Sequence, residues 1–459
     1  MGSISPSPPL HIAIVGAGIG GLALAIGLLR QGVPYTLYEA AGAYSAVGAG
    51  VGLGPNALAA MDAIDARFRA LYNQISTGNV TPGKDHVMMD AMLLEDGFGE
   101  KRGWKPAPYG APCYDRTSAH RVDLLNVMTS LIPISTVKFN KRVKTVDQKA
   151  EGGAKVTITF EDGEVVEASA VIGCDGAKGA TRQMVLGEKY PDQVRATYSG
   201  KYVYRSIVPM EDAVKILGKD ALGDEIAGDA KMFIGKGANV TTFPISKGTQ
   251  CNMVAFKLDD KPWTYPEWTQ PVTREEMVND FEELGVDKRL IKMLDWAKPL
   301  RWSIHHHLTT PVYYNGLICL LGDSAHATTP HQAAGAGQCL EDALILSRLL
   351  GLVSAPDRDQ LEAAFKVYDE IRRPRAQKVV QTSKQAGLVY TLSAPGIGDD
   401  LDAIVKDLNH RFLWIWEHDL MADVDRAEKE FKALTRKEPE TMNMKRVSAS
   451  VVEKTALTA

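Results

Sequence analysis

The sequence predicts an α/β chain with a second, antiparallel-sheet domain, and three stretches carry that prediction. The first is "HIAIVGAGIGGLALAIGLLR" and the "YTLY" that follows: an apolar run, a glycine-rich turn, a helical run and a second apolar run. The second is the alternating span from Tyr198 to about Phe256, which includes "KYVYRSIV" and "NVTTFPI". The third is "LICLLGDSAHATTPHQAAGAGQCLED", a late buried strand followed by small residues and a helix. Strands interleaved with helical patterns build parallel sheets, and period-two alternation marks half-buried antiparallel strands.

Composition bounds the rest. A chain of 459 residues, 45% hydrophobic and 24% charged, is long enough for two or three domains with a large core. The formal net charge of −4 gives no basic face for nucleic acid or an anionic membrane. Cys113, Cys174, Cys251, Cys319 and Cys339 are scattered and never form a C-x-x-C pair. That excludes a disulfide framework or zinc site and points to a reducing, cytoplasmic compartment. The uncharged run Ile12–Leu29 has the minimum length of a membrane span, but its patterned glycines fit a turn better. "MGSISPSPPLH" lacks a basic signal-peptide region and has Pro6 where myristoylation needs Ser or Thr.

In chain order, His11–Val15 reads as a buried strand, Gly21–Arg30 as a helix and Tyr35–Tyr38 as a strand, the opening of a βαβ unit. Pro82–Pro112, rich in Gly, Pro and Met, reads as an excursion. Val143–Val146, Val156–Phe160 and Glu164–Ala168 read as strands, with Asp162-Gly163 as the hairpin turn between the last two. Val171–Cys174 and Leu317–Leu321 read as short buried strands, Gly335–Leu350 as a helix, and 360–434 as helical. Residues 1–10 and 441–459 read as flexible.

Three constellations carry chemistry. Gly16-Ala17-Gly18-Ile19-Gly20-Gly21 is a G-x-G-x-x-G between strand and helix. Gly16 allows the tight turn, Gly18 lets a pyrophosphate approach the backbone, and Gly21 lets helix and strand pack closely. Glu39, 18 residues after Gly21, suits the hydroxyls of an adenosine ribose. The motif leaves FAD, NAD and NADP open, although a 2′-phosphate beside Glu39 would be repelled. The second constellation is Gly173-Cys174-Asp175-Gly176 with Arg182, a turn after a strand. The third is Gly322-Asp323, a carboxylate at the carboxyl end of a strand, where open α/β sheets bind ligands. The small residues Ala333–Gly337 then run into a helix N-terminus that offers unpaired N–H groups and positive potential. His305-His306-His307 gives no metal site, because alternate residues on a strand point to opposite faces.

Together, G-x-G-x-x-G, D-G and G-D-x-A-H-x-x-x-P resemble the class A flavoprotein monooxygenases, the aromatic hydroxylases related to para-hydroxybenzoate and salicylate hydroxylase. "GAGVGLGPNALAAMDAI" (48–64) and "AHRVDLLNVM" (119–128) resemble two further segments of that family, and the likeness spans roughly residues 11–375. One departure is Gly179, where the family's D-G-x-x-S-x-x-R has Ser. The resemblance implies a GR2-type, Rossmann-like FAD-binding domain from 11–81, 113–190 and 301–375. It implies a substrate domain from 82–112 and 191–300 and a helical C-terminal region over 376–440. It also implies FAD contacts from Gly52, Arg121, Asp175, Asp323 and Ala336, and the ribose on Glu39.

The implied chemistry is reduction of FAD by NADPH or NADH, then O2 addition to give a C4a-hydroperoxyflavin that attacks an electron-rich ring. Pro330 would lie on the reacting flavin face, and His331 in the substrate pocket. "YSGKYVYR" looks like the substrate-domain strand of fungal dearomatising hydroxylases of polyketide phenols, where the arginine at the place of Arg205 grips the phenolate. In that subgroup a tyrosine assists from one of two places. This chain has Phe243 at one and Tyr114 at the other, a pattern like the azaphilone-forming branch, which makes Tyr114 the candidate. The expected reaction is oxidative dearomatisation of a phenolic polyketide aldehyde by a monomer or homodimer. Simple or decarboxylative aromatic hydroxylation is the other enzymatic reading, and a flavin-binding protein without turnover the non-enzymatic one.

Overall fold

Ile12, Ala13, Ile14 and Val15 carry no polar side chain and are at most 4% exposed, as a parallel strand covered on both faces requires. In the computed structural model, which describes residues 9–44, 50–148 and 154–436, this strand is central to a six-stranded sheet. The order is Tyr314–Asn315, Ile318–Leu320, Ala170–Gly173, Ile12–Val15, Tyr35–Tyr38 and Val137–Lys138. Register decides what this sheet presents. Val15 pairs with Gly173 and Gly173 with Leu320, all in parallel. The segments after the three strands, Gly16, Cys174-Asp175 and Gly322-Asp323, therefore emerge side by side at one sheet edge. A separate three-stranded sheet holds Val143–Gln148, Val156–Phe160 and Val165–Ala168, with Gly163 left-handed at φ +88° in its turn.

The second large sheet has eight strands. Its order is Thr269–Pro271, Leu300–His306, Thr197–Pro209, Gln250–Leu258, Ala238–Ile245, Lys231–Gly235, Val87–Leu93 and Ala107–Gly110. Three details differ from the sequence reading. The excursion at Pro82–Pro112 contains the seven-residue strand Val87–Leu93, which pairs parallel to Lys231–Gly235. Six consecutive residues of it are buried, so no alternation marks it. Leu300–His306 hydrogen-bonds within this sheet, so a division at residue 301 cuts a strand. The helix Arg358–Tyr390 runs unbroken through Pro374 and across the expected boundary at 375. The flexible readings, apart from Pro9 and Leu10, fall outside the described residues. No helix among the described residues is long and apolar enough to cross a membrane. The uncharged run Ile12–Leu29 is instead strand, turn and helix.

The helix Gly335–Gly351 is wedged between Ile19–Arg30 and Arg358–Tyr390. A Cβ on Gly27 would stand 2.5 Å from Ser347 Oγ, so the first pair packs nearly backbone to side chain. Against Arg358–Tyr390 the contact is ionic and fully buried. Arg372 donates to Glu341 (2.6 Å), Asp342 (2.8 Å) and Gln338 (2.7 Å), and Arg375 donates to both oxygens of Glu341. Asn56 also donates to Glu341, at 2.6 Å. Asp342 accepts from the Gly322 amide at 3.1 Å and bonds His326 at 2.5 Å, which fastens the Gly322-Asp323 turn to the helix.

Burial works to raise both carboxyls. Arg372 and Arg375 beside Glu341, and His326 and Arg372 beside Asp342, outweigh it and hold each at about 2. Removing one partner of a buried pair strands the other charge, so Arg372→Met should cost roughly 3–5 kcal/mol, read as a lower urea midpoint at neutral pH. Unfolded carboxyls titrate near 4 and bind protons before the folded ones do, so stability from this pair is complete above about pH 5 and falls as the pH drops toward 2. Urea midpoints across that window should decline in the wild type.

Candidate active site

The three glycines of the first turn do different jobs. Gly16 has φ +103°, and a Cβ there would lie 2.4 Å from the Cys174 carbonyl oxygen of the neighbouring strand end. A Cβ on Gly21 would lie 2.0 Å from Gly16 O, which fixes helix against turn. A Cβ on Gly18 would meet nothing within 4 Å, so the space beside it is open to a ligand. The helix that starts at Ile19 has no side-chain cap and no acid in its first turn. Its free N–H groups and positive end favour an anion.

Glu39 accepts from the Ala17 amide through one oxygen and from the Ala41 amide through the other, both at 2.8 Å. It therefore braces the glycine turn, and further lone pairs on each oxygen remain for a hydroxyl donor. Asp175 accepts from the Thr181 amide at 3.0 Å and from the Thr181 hydroxyl. Burial raises its carboxyl, against the pull of those bonds. A Cβ on Gly179 would sit 2.1 Å from the Asp175 carboxyl carbon, so a serine does not fit there with Asp175 so placed. Thr181, two residues on, supplies the hydroxyl instead. Arg182, 1% exposed, donates to the Ser324 and Ala325 carbonyls at 2.9 and 3.1 Å and holds the turn that begins at Asp323.

Between the two large sheets lies a cavity of about 410 Å³. Gly18, Gly52, Arg121, Asp323, Pro330 and Ala336 line its cofactor-like side, and Arg205, Phe243 and His331 its sheet side. Met88, Met89, Met232, Val203, Val254, Phe256 and Ile304 make the remaining sheet wall apolar but for Thr241. The helix Gly335–Gly351 opens into this space with no side-chain cap and no acid in its first turn. Its first internal bond runs from Gln338 N to Ala334 O, so the amides of Gly335, Ala336 and Gly337 have no partner in the helix.

Alternation along Thr197–Pro209 points Arg205 into the cavity and Tyr204 to the opposite face, where its hydroxyl donates to Asp280 at 2.6 Å. Arg205 has no hydrogen bond or carboxylate partner among the described residues, and its guanidinium stands 4.9 Å over the Trp302 ring. Burial, then the neighbouring charge of Arg121, lowers its pKa from the ordinary arginine value, as expected for a cation lacking a counter-ion. His331 is 5% exposed, packs 4.9 Å from Phe256, and is held neutral by burial and by Lys201.

Tyr114 is not brought to this cavity. It is 2% exposed, packs 4.5 Å from Trp416, and lines a small adjoining space behind Met88, Ala333 and Ala334. The sequence reading missed Arg116, which lines the large cavity and lies 5.3 Å over Phe243. Only its place two residues after Tyr114, in the stretch before His120-Arg121, hinted at it. His305 stacks on Trp268 at 4.1 Å, while burial drives His306 to about 4 and His307 to about 3. No group of three or more His, Cys, Asp or Glu among the described residues is arranged to hold a metal.

The open space at Gly18, two uncapped helix ends and a cavity wall rich in small residues fit a long dinucleotide with a flat ring system. Comparison with known proteins agrees. Residues 10–383 match the FAD binding domain family. An FAD-dependent monooxygenase of Gibberella moniliformis is 39% identical over 433 residues, covering 92% of this chain and 96% of that one. The 6-methylsalicylate 1-monooxygenase atA of Aspergillus terreus is 36% identical over 414 residues, 90% of each chain. A solved salicylate hydroxylase substrate complex has a TM-score of 0.78 at 31% identity, covering 91% of this chain and 98% of that one. The chain belongs to the FAD binding domain family and is an FAD-dependent monooxygenase of the class A, salicylate hydroxylase-like type.

Proposed function

We propose that this monooxygenase hydroxylates and dearomatises a phenolic polyketide aldehyde, in azaphilone-type secondary metabolism. The observation that carries the reading is Arg205, an unpaired guanidinium facing an apolar cavity opposite the cofactor-like wall. A phenol ionises near 10, and an adjacent cation lowers that by roughly 1–3, so Arg205 favours the phenolate at neutral pH. The phenolate oxygen pushes its electron pair into the ring. As the ring carbon gains a hydroxyl, that oxygen becomes a ketone carbonyl and aromaticity is lost. Bound FAD, reduced by NAD(P)H and reacting with O2, supplies the electrophilic oxygen atom, and the second oxygen leaves as water.

In this reading Gly16, Gly18 and Gly21 shape the pyrophosphate site, and Glu39 takes the adenosine ribose. Asp323 takes polyol hydroxyls, and Gly52 and Arg121 contact the flavin. Asp175 orders the turn beside it. The amides around Ala336 stabilise negative charge on the ring's pyrimidine edge. Pro330 and the methionine-lined wall keep water from the reacting face. Similarity to a 6-methylsalicylate 1-monooxygenase and to a salicylate hydroxylase favours a second reading, decarboxylative hydroxylation of a phenolic acid. Product analysis separates the two, since only dearomatisation removes the aromatic chromophore while retaining every carbon.

Three substitutions test the assignments. Gly18→Val has room in the protein alone, so it should fold with an unchanged melting temperature yet purify without visible flavin absorbance. Flavin bound at wild-type level would remove Gly18 from the cofactor site. Arg205→Ala should retain flavin and lose phenol-stimulated NAD(P)H oxidation and product; normal turnover rejects the phenolate clamp. Tyr114 stands in the wall behind Met88 and Ala334, so Tyr114→Phe should lower the rate far less than the roughly 10²-fold typical of a catalytic proton donor. A loss of that size would put its hydroxyl at the substrate.

A further inference from the structure

Among the described residues, three arginines line the cavity, Arg116, Arg121 and Arg205, against one acid, Asp323. None of the three has a carboxylate partner among the described residues. Elsewhere the fold supplies such partners freely: Arg372, Arg375, Arg301 and Arg289 each meet a carboxylate at 2.6–2.9 Å. Arg121 and Arg205 have occupants in the reading above, and Arg116 has none. It is 7% exposed, and its Nε and Nη2 are buried without a hydrogen-bond partner. Nη1 has only a marginal 3.5 Å contact with the Thr117 carbonyl. A buried cation left in this state is costly unless a ligand completes it.

The position of Arg116 says which ligand. Its guanidinium covers the ring of Phe243, and its Nη1 lies beside Gly52 in the cavity lining, where a Cβ would stand 3.4 Å from it. Phe243 belongs to Ala238–Ile245 and Arg205 to Thr197–Pro209, with Gln250–Leu258 between them. Arg205 lies across from Val254 and Val254 from Thr241, two residues from Phe243, so two strand spacings and two residues of rise separate the strand positions of Arg205 and Phe243 by roughly 12 Å, a span for one ring with its side chain.

We propose that Arg116 is a specificity-determining residue that binds a second, planar two-oxygen anion on the same substrate, a side-chain carboxylate or the enolate of a 1,3-dicarbonyl. The proposal deepens the phenolate reading and rests on it: Arg205 takes the phenolate and Arg116 the far end. With both ends held, the ring is fixed in its plane, and one ring carbon is presented to the oxygen donor. A guanidinium suits this task because its fork matches two coplanar oxygens, which an ammonium does not.

The test uses the full-length, FAD-loaded enzyme and three 2,4-dihydroxybenzaldehydes that differ at C6 by a propyl, a 2-carboxyethyl or a 2,4-dioxopentyl chain. Dissociation constants are read from the change in flavin absorbance on binding. The wild type should prefer at least one acidic chain to propyl. Arg116→Gln should weaken the preferred chain by about ten- to hundredfold, as loss of a charge-assisted bond does, and propyl by less than about threefold. Whichever acidic chain shows this loss identifies the anion. No wild-type preference, or equal weakening of all three, overturns the proposal. So does altered flavin absorbance in ligand-free Arg116→Gln, which assigns the guanidinium to the cofactor. The wild-type comparison decides the matter even where Arg116→Gln does not fold. The underlying reading fails separately: if Arg205→Ala binds and oxidises all three aldehydes like the wild type, the phenolate clamp is wrong whatever Arg116 does.

Discussion

Arg372, fully buried between Glu341 and Asp342, is the contact on which the geometry of the cofactor side depends. Two charges taken out of water repay their desolvation only with close geometry and further hydrogen bonds. Gln338, Asn56, Arg375, His326 and the Gly322 amide provide those bonds. The result ties four parts of the chain to one side-chain cluster: the helix Gly335–Gly351, the helix Arg358–Tyr390, the Gly322-Asp323 turn and the helix Pro55–Ile64. Arg375 extends it to the C-terminal region through the Trp414 and Ile415 carbonyls. In the proposed function the helix end at Gly335 meets the flavin ring, and a capping side chain of its own would stand in the way. This one is held from its second turn onward, which leaves the first turn bare.

The same residue type is treated in two opposite ways. Arginines that set the fold sit against carboxylates, as Arg372 does, or against several carbonyls, as Arg182 does, while Arg116, Arg121 and Arg205 in the cavity lining have no carboxylate among the described residues. In a cavity with low-dielectric walls an unpaired cation acts strongly on whatever enters, because little solvent screens it. The methionines and valines of the sheet wall around Arg205 belong to the same arrangement, since a wet wall would weaken the guanidinium.

Features set by local backbone constraints were legible in the sequence. Gly16, Gly18 and Gly21 are spaced by a turn that any strand-to-helix crossing with a close ligand needs, and Glu39 follows at the end of the next strand. Asp323 and the small residues before Gln338 followed the same logic. What escaped depends on contacts between distant segments. Val87–Leu93 is buried on both faces, so it lacks the alternation that exposes a strand. Its Asp90 pairs with Lys231 at 2.6 Å inside the sheet, and neither residue looks like core in a linear reading. Tyr114 and Arg116 lie two residues apart in a loop, and only packing on Trp416 and Phe243 decides which one meets the cavity. The departure at Gly179 could be read in the sequence, but the Thr181 hydroxyl on Asp175 could not, because it depends on how the turn folds back.

The small residues at 333–337 have one more physical consequence. Ala333 adopts φ 49°, a left-handed conformation that L-residues other than Gly, Asn and Asp rarely take, at a cost of about 1–2 kcal/mol. It closes the short turn Pro330–Gln332 through its amide to Pro330 O at 3.0 Å and is followed directly by Ala334, the residue that starts the helix. With that reversal, Pro330 and the helix N-terminus at Gly335 and Ala336 line the same cavity. Glycine would adopt the angle more easily, but it would also leave the turn free to relax when nothing is bound. Alanine keeps the turn more defined than glycine would, and its methyl group adds little bulk to the cavity wall. Strain held in the cavity wall, and supported by the ionic cluster about two helical turns away, is what a preorganised site requires.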